Sequence, residues 1–189
     1  MKSEKIIIIT APSGSGKTTL VKMLLAEYPQ LAFSISACTR NPRPNEEHGK
    51  DYYFFNEQDF RTLIDQNAFA EWEMVYTGKY YGTLKSELKR IWTQHKTPLV
   101  DIDVKGALAI QQSFPNNSLS IFIKAPSIEE LRKRLQNRGT ETPESLEERI
   151  NKANDELSFA DRFNTIIVND NLEKALQELI KTIELFLNN

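Results

Sequence analysis

The sequence has a single cysteine, Cys38, and only two histidines, His48 and His95, far apart in the chain. One thiol excludes an internal disulfide and a cysteine-based zinc site, and two isolated imidazoles make no metal cluster. A reducing, cytoplasmic setting is the expectation. No charged stretch followed by an apolar run reads as a signal peptide, and no apolar run is long enough to span a membrane. Neither sign of charge dominates. With 24 Lys+Arg against 26 Asp+Glu and a net charge of -2, a general nucleic-acid surface is excluded, so an anionic ligand must be held by local clusters of Lys and Arg. Internal repeats and low-complexity segments are also absent. What remains is a chain of 189 residues, 40% hydrophobic, long enough to bury one good core and cramped for two independent domains.

The most informative stretch is Ile6 to Leu20, IIIITAPSGSGKTTL. Four successive isoleucines are too branched for a comfortable helix, and they read as a strand buried on both faces, as in a parallel sheet. A glycine-rich turn follows. Ser13-Gly14-Ser15-Gly16 allows backbone N–H groups to curl around an anion, Lys17 adds a charge, and Thr18 offers a hydroxyl to a magnesium ion where the next helix begins. The pattern is that of a phosphate-binding loop, with Ala11 where its first glycine usually stands. Ala11 sits at the strand exit, before the residues that wrap the phosphates, and is expected to be tolerated there.

Taken in order, the chain alternates strand and helix. A helix from Thr18 to Tyr28 and a short strand at Ala32 to Ser36 precede a stiff loop, Thr39-Arg40-Asn41-Pro42-Arg43-Pro44. From Gly49 to Gly82 the character changes. Asp51 to Phe55 and Ala70 to Tyr76 read as strands of a small antiparallel sheet, with a helix from Glu57 to about Gln66, capped by Asn56, between them. Lys79 to Thr83 adds a strand, and Leu84 to His95 a helix. Alternation then resumes with Pro98 to Val104, whose Asp101 and Asp103 are too costly to bury unless they meet partners at the strand end. Leu119 to Ala125 and Thr165 to Val168 supply the last strands. Between them lies a basic helical hairpin, with a capping box at Ser127 and Glu130, Arg132, Lys133, Arg134 and Arg138 on one helix, and a second helix from Thr142-Pro143 to about Ala160. The expected architecture is a five-stranded, doubly wound parallel sheet with its ligand at the carboxyl ends of the strands.

Read together, SGSGKTT, FSISACTRNPRPNE, GKDYYFF, AEWEMV, YYGT, VDIDVKGA, RLQNRGTE and IIVND resemble the guanylate kinases in order and spacing over nearly the whole chain. The resemblance implies a P-loop kinase that phosphorylates GMP to GDP with ATP and Mg2+. It also implies one domain over 1–189, with a core of 1–36, 98–125 and 161–189, a small α+β GMP-binding subdomain at 37–97 and a lid at 126–160. The expected partners are GMP or dGMP, with no nucleic acid or membrane, in a monomer or homodimer.

The same resemblance assigns roles to individual residues. Guanine presents two donors, N1–H and N2, beside the O6 acceptor, and a carboxylate suits the donors. Glu71 is the expected reader, assisted by Asp101, with the Ser36 and Thr83 hydroxyls donating to O6 or supporting that site. Arg40, Arg43, Tyr52 and Tyr81 would hold the GMP phosphate, although both tyrosines could instead be core of the small sheet. Ser13, Gly14, Ser15, Gly16, Lys17, Thr18 and Thr19 would hold the ATP phosphates, Thr18 and Asp103 the metal, and Arg134, Arg138 and Arg149 the transferring phosphoryl group. Asn169 resembles a residue near the ATP adenine, or is a plain turn asparagine. Trp72 and Trp92 read as core or half-core. Two further readings compete. A catalytically inactive binding module of the same fold would typically lack Lys17, and a regulatory GTPase would carry an Asn-Lys-x-Asp motif, which the sequence does not have.

Overall fold

The computed structural model describes residues 4–137 and 142–188. At its centre is strand β1 (Ile6–Thr10), all five residues of which are buried. It pairs in parallel with β7 (Thr97–Asp101) on one side and β8 (Ser118–Lys124) on the other. Beyond them lie β2 (Leu31–Phe33) and β9 (Thr165–Val168), giving the parallel order β2-β7-β1-β8-β9. Because side chains alternate along a strand, the isoleucines divide between two cores. Ile7 and Ile9 pack with Leu20 and Leu24 of α1 (Lys17–Glu27) and with Leu179 and Ile183 of α7 (Leu172–Asn188). Ile6 and Ile8 face Leu88 of α3 (Lys85–Thr93) and Ala107 and Ile110 of α4 (Val104–Ser113). Each buried isoleucine stabilises the fold by about 1.5–3 kcal/mol. The expected five-stranded parallel sheet, with helices on both faces, is what forms.

A second sheet has the order β4-β3-β6-β5, made by β3 (Ala37–Cys38), β4 (Tyr53–Phe54), β5 (Phe69–Tyr76) and β6 (Lys79–Leu84). The expectation of an antiparallel sheet holds for β3, β5 and β6, but β3 and β4 run parallel, so the sheet is mixed. The strand expected at Asp51 to Phe55 shrinks to two residues, and the one at Ala32 to Ser36 ends at Phe33. Helix α2 (Glu57–Asp65) begins at the expected cap, where the Asn56 side chain accepts from Asp59 N at 2.8 Å. Its buried Phe60 stacks on Phe69, with ring centroids 4.4 Å apart.

Helices α5 (Ile128–Gln136) and α6 (Pro143–Leu157) form the hairpin around Leu131, Leu135, Leu146 and Ile150. Ser127 caps α5 by accepting from Glu130 N, and Thr142 and Ser145 cap α6 reciprocally. Helix α6 stops three residues before the expected Ala160, where a short 3-10 turn, Ala160–Arg162, takes over.

Candidate active site

Between β1 and α1 the chain turns through Pro12 to Gly16, with Ser15 N donating to Pro12 O at 3.2 Å. Gly14 and Gly16 have φ of 93° and 87°, left-handed values that a side chain would resist, and Gly16 caps α1. Ala11 is not among the non-glycine residues with positive φ, and it packs against the core of Ile7 and Ile9. A missing first glycine therefore leaves the loop undistorted at that position.

The loop forms one wall of a cleft of about 870 Å3, whose other walls include Ser36, Tyr52, Glu71, Tyr81, Asp101 and Arg149. Lys17, at the start of α1, donates from Nζ to Asp101 Oδ1 at the end of β7, and both side chains are largely buried. Thr18 and Thr19 are exposed to the cleft. Asp101 thus faces the phosphate loop.

Glu71 on β5 accepts from Thr83 Oγ1 at 2.7 Å. Burial pushes its carboxyl up to about 7, against the Thr83 hydrogen bond, and the nearby Asp103 and Glu73 carboxylates add to the rise. Asp103 caps α4, accepting from Gly106 N at 2.8 Å. At Gly106 a methyl group would lie 2.9 Å from Glu71 Oε2 and 3.3 Å from Asp103 Oδ1, which sets those two carboxylates side by side. Asp101 and Asp103 both line the cleft, Asp101 meeting Lys17 and Asp103 lying near Glu71.

Arg40 is held rigidly. Its guanidinium donates to both oxygens of Glu46, at 2.6 and 2.7 Å, and lies 4.7 Å from the Tyr52 ring centroid. The Arg40 hydrogen bond, then the Arg43 backbone N–H, draws the Glu46 carboxyl down to about 2. Tyr52 and Tyr81 meet edge to face and line the cleft, whereas Tyr53 and Tyr80 belong to the core of the small sheet. The alternative of core tyrosines thus applies to their neighbours. Arg43 is exposed and does not line the cleft; its backbone N–H donates to the Glu46 carboxylate and its carbonyl accepts from Glu46 N.

Of the hairpin arginines, Arg149 lines the cleft and donates to Ser13 Oγ at 2.9 Å. Arg134 instead donates to Glu130 and to the backbone oxygen of Asn169. Arg138 lies outside the described residues. Asn169 is 4% exposed, and its amide donates to Ser15 O at 2.8 Å. Both tryptophans were expected in the core or half-core: Trp92 is partly buried, whereas Trp72, on the edge strand β5, is 46% exposed. Glu46, Glu73 and Glu87, all in or behind this site, were not expected from the sequence; only the position of Glu46 beside the two arginines hinted at a partner.

The family model described as guanylate kinase matches residues 3–185. A guanylate kinase of Bacteroides fragilis is 48% identical over 97% of this chain and 90% of its own length. One from Porphyromonas gingivalis is 46% identical over 97% and 98%. Among solved structures, guanylate kinase from Anaplasma phagocytophilum superposes with a TM-score of 0.76 at 26% identity, covering 98% of this chain and 87% of that one. Shikimate kinase from Bacteroides thetaiotaomicron, at 15% identity and a TM-score of 0.53 over 95% and 98%, shares the fold alone.

Proposed function

This chain belongs to the guanylate kinase family and transfers a phosphoryl group from ATP to GMP, and on that premise we propose how its residues divide the work. The observation that carries the proposal is that Lys17 and Glu71 line a single cleft, so one wall carries a phosphate loop and another a carboxylate suited to guanine.

Lys17, Arg149 and the amides of Ser13 to Thr19 hold the ATP phosphates, with Arg134 nearby and Arg138 included on its sequence position alone. Glu71 accepts from guanine N1–H and N2. Asp103 joins it on the guanine side, while Asp101 serves the phosphate side, an exchange of the roles first expected for the pair. Ser36 faces O6, Thr83 supports the site through its hydrogen bond to Glu71, and Arg40, Tyr52 and Tyr81 take the GMP phosphate, with Arg43 approaching from the exposed loop. Against AMP this site would leave the guanine-facing carboxylate and the Ser36 hydroxyl without their partners, which costs a few kcal/mol.

Magnesium fits the donors available. Thr18 and Asp101 offer hard oxygens beside the phosphate loop, and among the described residues no cluster of three acidic or thiol ligands competes as a protein cage. That is the pattern for Mg2+, which takes one or two protein oxygens and completes its shell with phosphates and water. When bound it neutralises charge on the phosphates. Asp103, expected first as the second ligand, is better suited to the guanine side. The nucleophile is a phosphate oxygen of GMP, largely ionised near neutral pH, so the protein needs no strong base and acts by positioning and charge neutralisation. Residues 126–160 act as the lid that excludes water, and 37–97 as the acceptor-binding subdomain.

A coupled assay with ATP and Mg2+ tests this assignment: GMP is turned over, and AMP, UMP and dTMP are poor acceptors. Comparable turnover of AMP overturns it. Use of dGMP, a monomer or homodimer, and a cytoplasmic setting belong to the same proposal and are read by adding dGMP to the series, by light scattering and by fractionation. Among the described residues no helix is long and apolar enough to cross a membrane.

A further inference from the structure

We propose that Asn169 is a positioning residue for the phosphate donor: its side-chain amide fixes the Ser15–Gly16 peptide and thereby aims the Gly16 N–H into the phosphate loop. The proposal rests on the reading that this loop holds the ATP phosphates.

In a trans peptide the C=O and the following N–H point in opposite directions, so whatever holds the Ser15 oxygen also orients the Gly16 N–H. The Asn169 amide donates to that oxygen at 2.8 Å. Asn169 itself cannot shift easily. Its backbone N–H donates to Lys124 O at 2.8 Å, prolonging the pairing of β8 with β9, and its carbonyl accepts from Arg134 at 3.0 Å. The side chain, 4% exposed, is thus delivered from a fixed sheet edge to the loop backbone.

Gly16 fits this arrangement for two reasons. Its φ of 87° disfavours a side chain, and a methyl group there would stand 2.2 Å from the Asn169 amide nitrogen. The carbonyl of Gly16 then accepts from Leu20 N at 3.2 Å, in the first turn of α1. The oriented amide and the helix start are consecutive, so an error in one is carried into the other. A donor at position 169 is what the geometry requires, because two facing oxygens would repel. A buried amide with this commitment is not available to hydrogen-bond adenine through the same N–H group, which departs from the role first expected of Asn169.

The test uses the full chain and measures, by calorimetry, binding of a non-hydrolysable ATP analogue and of GMP separately, with a melting curve for each variant. Asn169→Ala should weaken the analogue about tenfold while GMP binds within twofold of the parent. Asn169→Asp keeps the shape but presents a carboxylate to the Ser15 oxygen. Its deficit relative to the parent at the same pH should be larger at pH 8 and shrink towards pH 6, as the buried acid regains a proton to donate. Lys17→Ala, measured alongside, separates the two layers of argument. If it weakens the analogue while both Asn169 variants bind it normally, or lose both nucleotides equally with a lowered Tm, the positioning role is overturned. If Lys17→Ala also leaves the analogue unaffected, the reading of the loop fails and the proposal falls with it.

Discussion

Lys17, the first residue of α1, is ion-paired with Asp101, the last residue of β7, across the carboxyl edge of the parallel sheet. In the proposed division of work, the pair joins the charge assigned to phosphate to the carboxylate assigned to the metal. Lys17→Ala should therefore lower kcat by at least about 100-fold, the scale of one electrostatic contact to a transition state. Stability should fall by about 1–3 kcal/mol, since Asp101 is left largely buried without its partner and only partly regains water from the cleft. Near-normal turnover would remove the loop from the mechanism.

The assignment of the two aspartates is checked by splitting kinetic constants. Asp101→Asn should lower kcat and leave KM for GMP unchanged, whereas Asp103→Asn should raise KM for GMP several-fold. The reverse pattern would return Asp101 to the guanine side. Sequence alone could not decide between them. At i and i+2 in a continuous strand both would share one face, but β7 ends at Asp101 and Asp103 already caps α4, so the backbone turns between them.

Glu71 makes the protein sensitive to pH in two opposed ways. Its carboxyl is raised from 4.5 to about 7, chiefly by burial, so the folded chain binds this proton more tightly than the unfolded chain. The associated stability is full below about pH 4.5 and is lost as pH rises through about 7, a difference of about 3 kcal/mol. Guanine recognition runs the other way, because the ionised form is the better acceptor. Glu71→Gln should thus be more stable than the parent at pH 8.5 in urea titrations and equal to it near pH 4. It should also have a raised KM for GMP that no longer improves as pH rises through 7. Equal urea midpoints at pH 8.5 would contradict the burial cost.

The frame of the fold was legible in the sequence because Ile6 to Ile9 and the other apolar runs carry enough residues to state a period. The small sheet was less so. Ala37–Cys38 is too short for any alternation to register, and the parallel pairing of β3 with β4 depends on where the loop at Pro42 and Pro44 returns the chain. Contact partners far apart in sequence, such as Glu87 with Ile35 and Tyr53, were invisible for the same reason: nothing local marks a glutamate in an amphipathic helix as the buried one.

Glu87 is 2% exposed and accepts from Arg90 at 2.7 Å twice, from Tyr53 Oη at 2.9 Å and from Ile35 N at 3.1 Å. Burial alone would raise its carboxyl, but these donors outweigh it and draw it below the usual range. They tie α3, β4 and the link from β2 to β3 at one point, next to Ser36 and Tyr52. Glu87→Ala should cost about 3 kcal/mol by urea unfolding, since it leaves buried donors without a partner. It should also raise KM for GMP while KM for ATP stays unchanged. Equal effects on both constants would make the residue a support of the whole fold and not of the acceptor site.

Gly106 offers a case where function should suffer more than stability. It lies in the first turn of α4, where alanine's helix propensity, worth up to about 1 kcal/mol, offsets part of the cost of displacing Glu71, so Gly106→Ala should lower the urea midpoint only modestly. Its methyl group, however, would stand 2.9 Å from Glu71 Oε2, and the carboxylate has little freedom to withdraw because Thr83 holds its other oxygen at 2.7 Å. Displacing it breaks either that hydrogen bond or the alignment with guanine. KM for GMP should rise about tenfold, the effect of one lost hydrogen bond to a charged group, with KM for ATP unchanged. A variant with the parent's KM for GMP would mean that Glu71 can retreat without loss. Its role as the guanine reader could not then depend on the position it holds between Thr83 and Gly106.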